Sequence, residues 1–154
     1  MLMGLLNLSP IFPLYYGGKT KFMPLHCIDI CNLILDLIEN DCTDRTIECV
    51  GPDELTFREI IEILLKLIDK KRIFIPVPLL AANIMATFFQ LLPKPLITKD
   101  QIKLLFYDNI PSGDHKTNFD IGKNFGLRFE DEVEKYCYMW KEAGEYSKKK
   151  FNFK

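Results

Sequence analysis

The stretch Glu48-Cys49-Val50-Gly51-Pro52-Asp53-Glu54-Leu55-Thr56-Phe57-Arg58-Glu59-Ile60 decides the fold class. Thr46 to Val50 reads as a short strand, and Gly51-Pro52 stops it. Thr56 and Glu59 then stand three apart at the head of an apolar run. That spacing is a capping box: the threonine hydroxyl takes the amide three residues on, and the glutamate reaches back to the threonine amide. The helix it opens is expected to reach about Asp69, with Arg58, Glu62, Lys66 and Asp69 as one polar stripe. Lys70, Lys71 and Arg72 follow, where the helix dipole favours cations.

The same alternation continues on both sides. Upstream, Ile30, Leu33, Ile34, Leu37 and Ile38 recur at helical spacing opposite Asn32, Asp36 and Asn40, so Asp29 to Glu39 is expected to be an amphipathic helix with Asp29 as its cap. Phe22 to Leu25 is a short strand candidate, Phe12-Pro13 to Gly17-Gly18 reads as loop and turn, and residues 1–8 read as the last turns of a helix closed by Ser9-Pro10. Downstream, Arg72 to Val77 reads as a strand. No residue from Ile73 to Pro93 is charged. Pro76 and Pro78 confine any helix there to Leu79–Leu92, roughly 21 Å long against a hydrocarbon core of about 30 Å, so a buried or interface-seeking helix is expected. Thr98 opens a second capping box and a helix to about Tyr107. Pro111 to Asn118 reads as a polar loop, and Phe129 to about Ser147 as a last helix with Val133, Tyr136, Cys137 and Trp140 on one face. Residues 1–150 form one domain and 151–154 a frayed tail.

Composition narrows the function classes. With 154 residues, 48% hydrophobic and 27% charged, the chain is of the globular class. Its 20 basic and 21 acidic residues leave a net charge of −1, so no polybasic footprint for nucleic acid exists. Five cysteines without a Cys-x-x-Cys pair point away from a disulfide framework and towards a reducing compartment.

Candidate chemistry is sparse. The chain holds no Gly-x-Gly-x-x-Gly, phosphate loop, His-Glu-x-x-His or Gly-x-Ser-x-Gly. Tyr15/Lys19 and Tyr146/Lys150 have the spacing of a tyrosine–lysine acid/base dyad, but Gly17-Gly18 breaks any helix under the first and the second lies in a lysine-rich tail. His26, Cys27 and Cys31 fall short of the three or four ligands a metal site needs, and the two cysteines are expected in the core. Gly17-Gly18-Lys19-Thr20-Lys21 is a turn whose amides and lysines suit a phosphate or diphosphate.

Two segments carry a resemblance. Phe22-Met23-Pro24-Leu25-His26-Cys27-Ile28-Asp29-Ile30, placed after Gly17–Lys21, resembles the "F-x-P-V-H-V-x-D-V" segment of extended and atypical short-chain dehydrogenase/reductases. Glu48 to Ile60 is similar to that family's late strand, Gly-Pro turn and Thr-x-x-Glu helix start. Leu92 to Leu105, with Asp108-Asn109, is similar to the nucleotide-binding accessory subunit family of respiratory complex I, NADH:ubiquinone oxidoreductase, and its bacterial relatives.

The resemblance covers residues 10–140 and matches the C-terminal half of such proteins. It implies an α/β fold: the C-terminal part of an NAD(P)-binding Rossmann-like domain, mostly helical with few short strands, without the N-terminal glycine-rich half. The function implied is assembly or stabilisation of complex I, with no turnover by this chain alone. NADP or NAD is then held only together with the N-terminal half. Lys19 and Lys21 are the expected phosphate-side contacts, and His26 lines the pocket. Asp29, Gly51, Pro52, Thr56, Glu59 and Thr98 have structural roles. The partners implied are other complex I subunits or that N-terminal half, with peripheral membrane contact, on the cytoplasmic face of a bacterial inner membrane or the matrix side of the mitochondrial one. Two alternatives stay open: the C-terminal half of an NAD(P)-dependent epimerase/dehydratase or ubiquinone-biosynthesis-type reductase, and a freestanding interaction domain.

Overall fold

The computed structural model describes residues 2–40, 46–78, 99–124, 126–141 and 144. In chain order these form α1 (Leu2–Leu8), β1 (Ile11–Tyr15), a 3-10 turn (Tyr16–Gly18), β2 (Lys21–Phe22), α2 (Cys27–Glu39), β3 (Ile47–Glu48), β4 (Leu55–Thr56), α3 (Phe57–Leu67), β5 (Ile73–Val77), α4 (Lys99–Leu104), β6 (Lys116–Thr117) and α5 (Phe129–Cys137), followed by a 3-10 turn (Tyr138–Trp140). The mixed α/β class is as expected. The helix anticipated over Leu79–Leu92, the Thr98 cap, the Tyr146/Lys150 pair and the 151–154 tail lie outside the described residues. Among the described residues no helix is long and apolar enough to cross a membrane.

Helix α3 organises the core. Its capping box forms as read: the Glu59 amide donates to Thr56 Oγ1 at 3.2 Å, and the Thr56 amide donates to Glu59 Oε2 at 2.7 Å. The helix buries Ile60, Ile61, Leu64, Leu65 and Leu67 against Leu6 of α1, Phe12 and Leu14 of β1, and Val133 and Cys137 of α5. Arg58, Glu62, Lys66 and Asp69 are all exposed, as the polar stripe requires. Lys66 reaches Glu130 of α5 at 2.8 Å. Thr56→Ala is expected to cost about 1 kcal/mol, the usual value of a lost N-cap. A urea midpoint unchanged by Thr56→Ala would contradict that role.

Two readings of the flanks change. Ile11–Tyr15 is a strand, not a loop. It pairs in parallel with β5, Ile11 opposite Ile73 and Tyr15 opposite Val77. Pro10 just before it and Pro13 within it hid it, since proline lacks the ladder donor. The Ile73 amide donates to Pro10 O at 3.1 Å. The parallel ladder then turns residues 12 and 14 of β1, and 75 and 77 of β5, towards the partner strand. Pro13 and Pro76 fall between these positions, where a missing N–H costs no ladder bond.

The basic run after α3 also serves another helix. Arg72 Nε donates to Leu6 O at 2.8 Å, and Lys70 Nζ donates to Asn7 Oδ1, so both bind the C-terminal end of α1.

Strand β2 is shorter than anticipated and pairs antiparallel with β4, and β3 pairs in parallel with β6. The expected strand Thr46–Val50 is thus present as Ile47–Glu48. Its partner here, Lys116–Thr117, lies in the segment read as a polar loop. The last helix ends at Cys137 and passes through the 3-10 turn to Lys141, whose ψ of 163° is extended, well short of Ser147. Val133 and Cys137 are buried there, but Tyr136 is exposed.

Candidate functional site

The glycine–lysine turn is shaped by three consecutive left-handed residues. Tyr16, Gly17 and Gly18 have φ of 52°, 66° and 71°. Gly18 is buried, and a Cβ on it would lie 2.9 Å from Arg58 Cβ, so sterics as well as φ demand glycine there. The turn drops the chain onto β2 and the 105–109 segment. Buried Thr20 donates through Oγ1 to Leu105 O, and its carbonyl accepts from the Phe57 amide at 2.8 Å. The Lys21 amide donates to Asp108 Oδ1 at 2.8 Å, and the Asn109 amide donates to Lys21 O at 2.7 Å.

These contacts define what each predicted site residue can do. Lys19 is exposed at the end of the turn. Lys21 Nζ sits 2.7 Å from Glu54 Oε1, and this carboxylate raises its pKa above the ordinary lysine range. Its charge is therefore engaged within the fold, and Asp108 adds a second carboxylate beside its backbone. Tyr15 ends β1 buried against Ile102, with its phenol pushed up by burial.

His26 is a capping residue. Its Nδ1 accepts from the Ile28 amide at 3.3 Å, which makes His26, not Asp29, the N-cap of α2. Its Nε2 lies 3.9 Å from Glu132 Oε2, too far for a hydrogen bond. Asp29 sits in the first turn, where the helix dipole favours an acid, and is buried with Oδ2 lacking a hydrogen-bond partner. Cys27 and Cys31 are exposed, which corrects their core placement. Their side of α2 faces outward. Among the described residues no group of three His, Cys, Asp or Glu side chains could hold a metal ion.

Gly51 and Pro52 form the expected stop, and the stop has a partner. The Gly51 amide donates to Met23 O at 3.3 Å, and its α-carbon packs directly on the Pro24 carbonyl. Asn118 is a fully buried hub beside it. Oδ1 accepts from the Val50 amide at 2.7 Å, Nδ2 donates to Lys123 O at 3.1 Å, and the backbone amide donates to Glu48 O at 3.2 Å. Nothing in the sequence marks Asn118 apart from other turn asparagines. Sequence reasoning also missed the aromatic patch at the turn. The Tyr16 and Phe106 rings lie 5.2 Å apart, Phe106 meets Tyr107 edge-on at 5.2 Å, and Phe106 and Tyr107 are exposed. Exposed rings near a lysine-bearing turn can accept a flat ring carrying an anionic group.

Several carboxylates here hold donors and titrate low. Ser112 donates to Glu48 through its hydroxyl and amide, and Thr117 donates to Asp120 in the same way. Those bonds lower both acids below the ordinary carboxylate range, as Thr56 lowers Glu59. A depressed folded-state pKa gives stability that is fully present above the unfolded value and is lost as pH falls through the folded value. The urea midpoint is therefore expected to fall as pH drops from 7 to about 3. Glu48→Gln should flatten that acid limb, and an unchanged limb would contradict the assignment.

No family model matches the chain. Two curated proteins do. NADH dehydrogenase (ubiquinone) 1 alpha subcomplex subunit 9, mitochondrial, of Arabidopsis thaliana is 32% identical over 111 residues, covering 65% of this chain and 28% of the relative. NADH-ubiquinone oxidoreductase 40 kDa subunit, mitochondrial, of Neurospora crassa is 30% identical over 108 residues, covering 69% and 29%. The matched stretch is thus less than a third of each relative's length. Over that stretch this chain resembles the subunit family of NADH:ubiquinone oxidoreductase, respiratory complex I, that both proteins represent.

Proposed function

We propose that the chain serves as part of an accessory subunit of NADH:ubiquinone oxidoreductase, stabilising the assembled complex without turning over substrate itself. The observation that carries this reading is the similarity to two named subunits of that enzyme, from a plant and a fungus, at 32% and 30% identity. The fold supports it. The described residues offer an α/β scaffold with short paired strands, two of the pairs parallel.

NADP or NAD binds in this reading only together with an N-terminal glycine-rich part, and acts by mass action on whichever form it binds. Lys19 contributes the phosphate-side charge, and Tyr16 at the start of the same turn, tilted 58° against Phe106, offers an aromatic ring. His26 shapes the pocket wall through the start of α2, and Lys21 acts through its ion pair with Glu54. The complex places the chain at an inner membrane, on the mitochondrial matrix side or the bacterial cytoplasmic face, in peripheral contact with it.

Disrupting the coding sequence tests the reading. Loss of assembled NADH:ubiquinone oxidoreductase, restored by the re-expressed chain, is the expected result. Full assembly and full NADH:ubiquinone activity in the disrupted strain would overturn it.

A further inference from the structure

The start of α2 and the flank of α5 meet through one imidazole. His26 caps α2 with Nδ1, which accepts from the Ile28 amide at 3.3 Å. A ring nitrogen that accepts carries no proton, so the proton of the neutral ring sits on Nε2. Nε2 faces Glu132 Oε2 of α5 at 3.9 Å, just beyond hydrogen-bond reach. Both side chains are sheltered, 21% exposed for His26 and 11% for Glu132. Lys135 Nζ holds the other carboxylate oxygen, Oε1, at 2.5 Å.

The groups around the ring set what a second proton does. On α2 they are the Cys27 thiol and the Asp29 carboxylate, buried in the first turn with Oδ2 unpartnered. On α5 they are Glu132, Lys135 and Tyr136, and Arg128 one turn earlier is paired with Asp53. The 49–52 segment, packed on Pro24, adds only the Cys49 thiol. A proton on Nδ1 ends the cap, because an N–H cannot accept. It also sets a positive charge at the N-terminus of α2, where the helix dipole disfavours it. Both effects drive the charged ring off α2, and its Nε2 already points at a carboxylate of α5. Imidazole is the side chain whose ordinary charge change falls between about pH 5 and 8.

We propose that His26 is a proton-operated latch between α2 and α5. Neutral, it caps α2 at the Ile28 amide; protonated, it releases that amide and closes on Glu132 as an ion pair. The cap is present above the titration of the imidazole and is lost as pH falls through it. The ion pair is present below that titration and is lost as pH rises through it. The inference goes beyond the subunit reading and does not rest on it.

Nuclear magnetic resonance of the isotope-labelled 154-residue chain, titrated from about pH 8 to about pH 5, reads the latch. Three signals should move with one shared midpoint: the His26 ring carbons, the Ile28 amide and the Glu132 carboxyl carbon. Protection of the Ile28 amide against hydrogen exchange, corrected for intrinsic pH dependence, should fall about fivefold across that midpoint, the usual worth of an N-cap. His26→Asn keeps a capping oxygen and carries no imidazole, so its Ile28 amide should hold both position and protection throughout. The latch is overturned in any of three ways. The His26 ring titrates while the Ile28 amide stays still, which means that the cap is never released. The Asp29 carboxyl responds in place of Glu132, which means that the charge stays on α2. Or the Ile28 transition persists in His26→Asn, which means that another group drives it. Should that variant fail to fold, the coincidence of the three midpoints in the parent decides alone.

Discussion

Gly51→Ala is expected to destabilise the chain by about 3 kcal/mol or more, because it overpacks a backbone contact that has no slack. A Cβ at position 51 would lie 1.7 Å from the Pro24 carbonyl oxygen and 2.6 Å from its carbon. Both atoms are backbone, and the proline ring fixes φ, so no side-chain rotation relieves the clash. The Met23–Gly51 hydrogen bond would open as the segments separate. For a chain of this size the loss corresponds to a fall in melting temperature of roughly 10 °C. Thermal unfolding followed by circular dichroism checks it, and a variant within about 1 kcal/mol of the parent would contradict the packing described.

The second large effect is expected at Asn118. Alanine there strands the Val50 amide and the Lys123 carbonyl, which the asparagine side chain satisfies inside the fold. Each buried group left unpaired costs about 1–3 kcal/mol, so the sum is roughly 2–4 kcal/mol after partial relaxation. Asn118→Asp keeps the acceptor for Val50 but sets a carboxylate against the Lys123 carbonyl, and it should be destabilised as well. Hydrogen exchange separates this mechanism from a general loss. The Val50 amide should exchange faster in Asn118→Ala, ahead of the α3 amides, and should stay protected in Asn118→Asp. Equal acceleration throughout the chain would contradict a local hub.

The parts of the fold that were legible in the sequence are those set by neighbours along the chain. Thr56 and Glu59 form their box because both ends lie within one helical turn. The amphipathic period of α3 buries Ile61 and Leu64 because no distant partner is needed to choose that face. Strand β5 was readable from a short apolar run after a charged one.

What could not be read depends on distant partners. β1 is a strand because β5 lies beside it, and Pro13 within it removed the local signal. The period of α2 announced an apolar face but could not say that the face points outward, since nearby chain supplies only Leu33's surroundings. His26 displaced Asp29 as the cap because an imidazole nitrogen can accept an amide as a carboxylate does.

The candidate site was legible in position more than in role. The Gly17–Lys21 turn exists and is left-handed as its glycines imply. Glu54, brought in by the β2–β4 pairing, occupies Lys21, and no spacing in the sequence could show that pairing. The aromatic patch of Tyr16, Phe106 and Tyr107 likewise forms only when the 105–109 segment packs beside β2.

The most direct test of the central claim is native electrophoresis of membranes from cells carrying the chain with an affinity tag. The account predicts that the tag migrates with the band stained for NADH dehydrogenase activity, and that subunits of NADH:ubiquinone oxidoreductase are recovered with it. A tag that migrates wholly apart from that band, with none of those subunits recovered, would contradict the account.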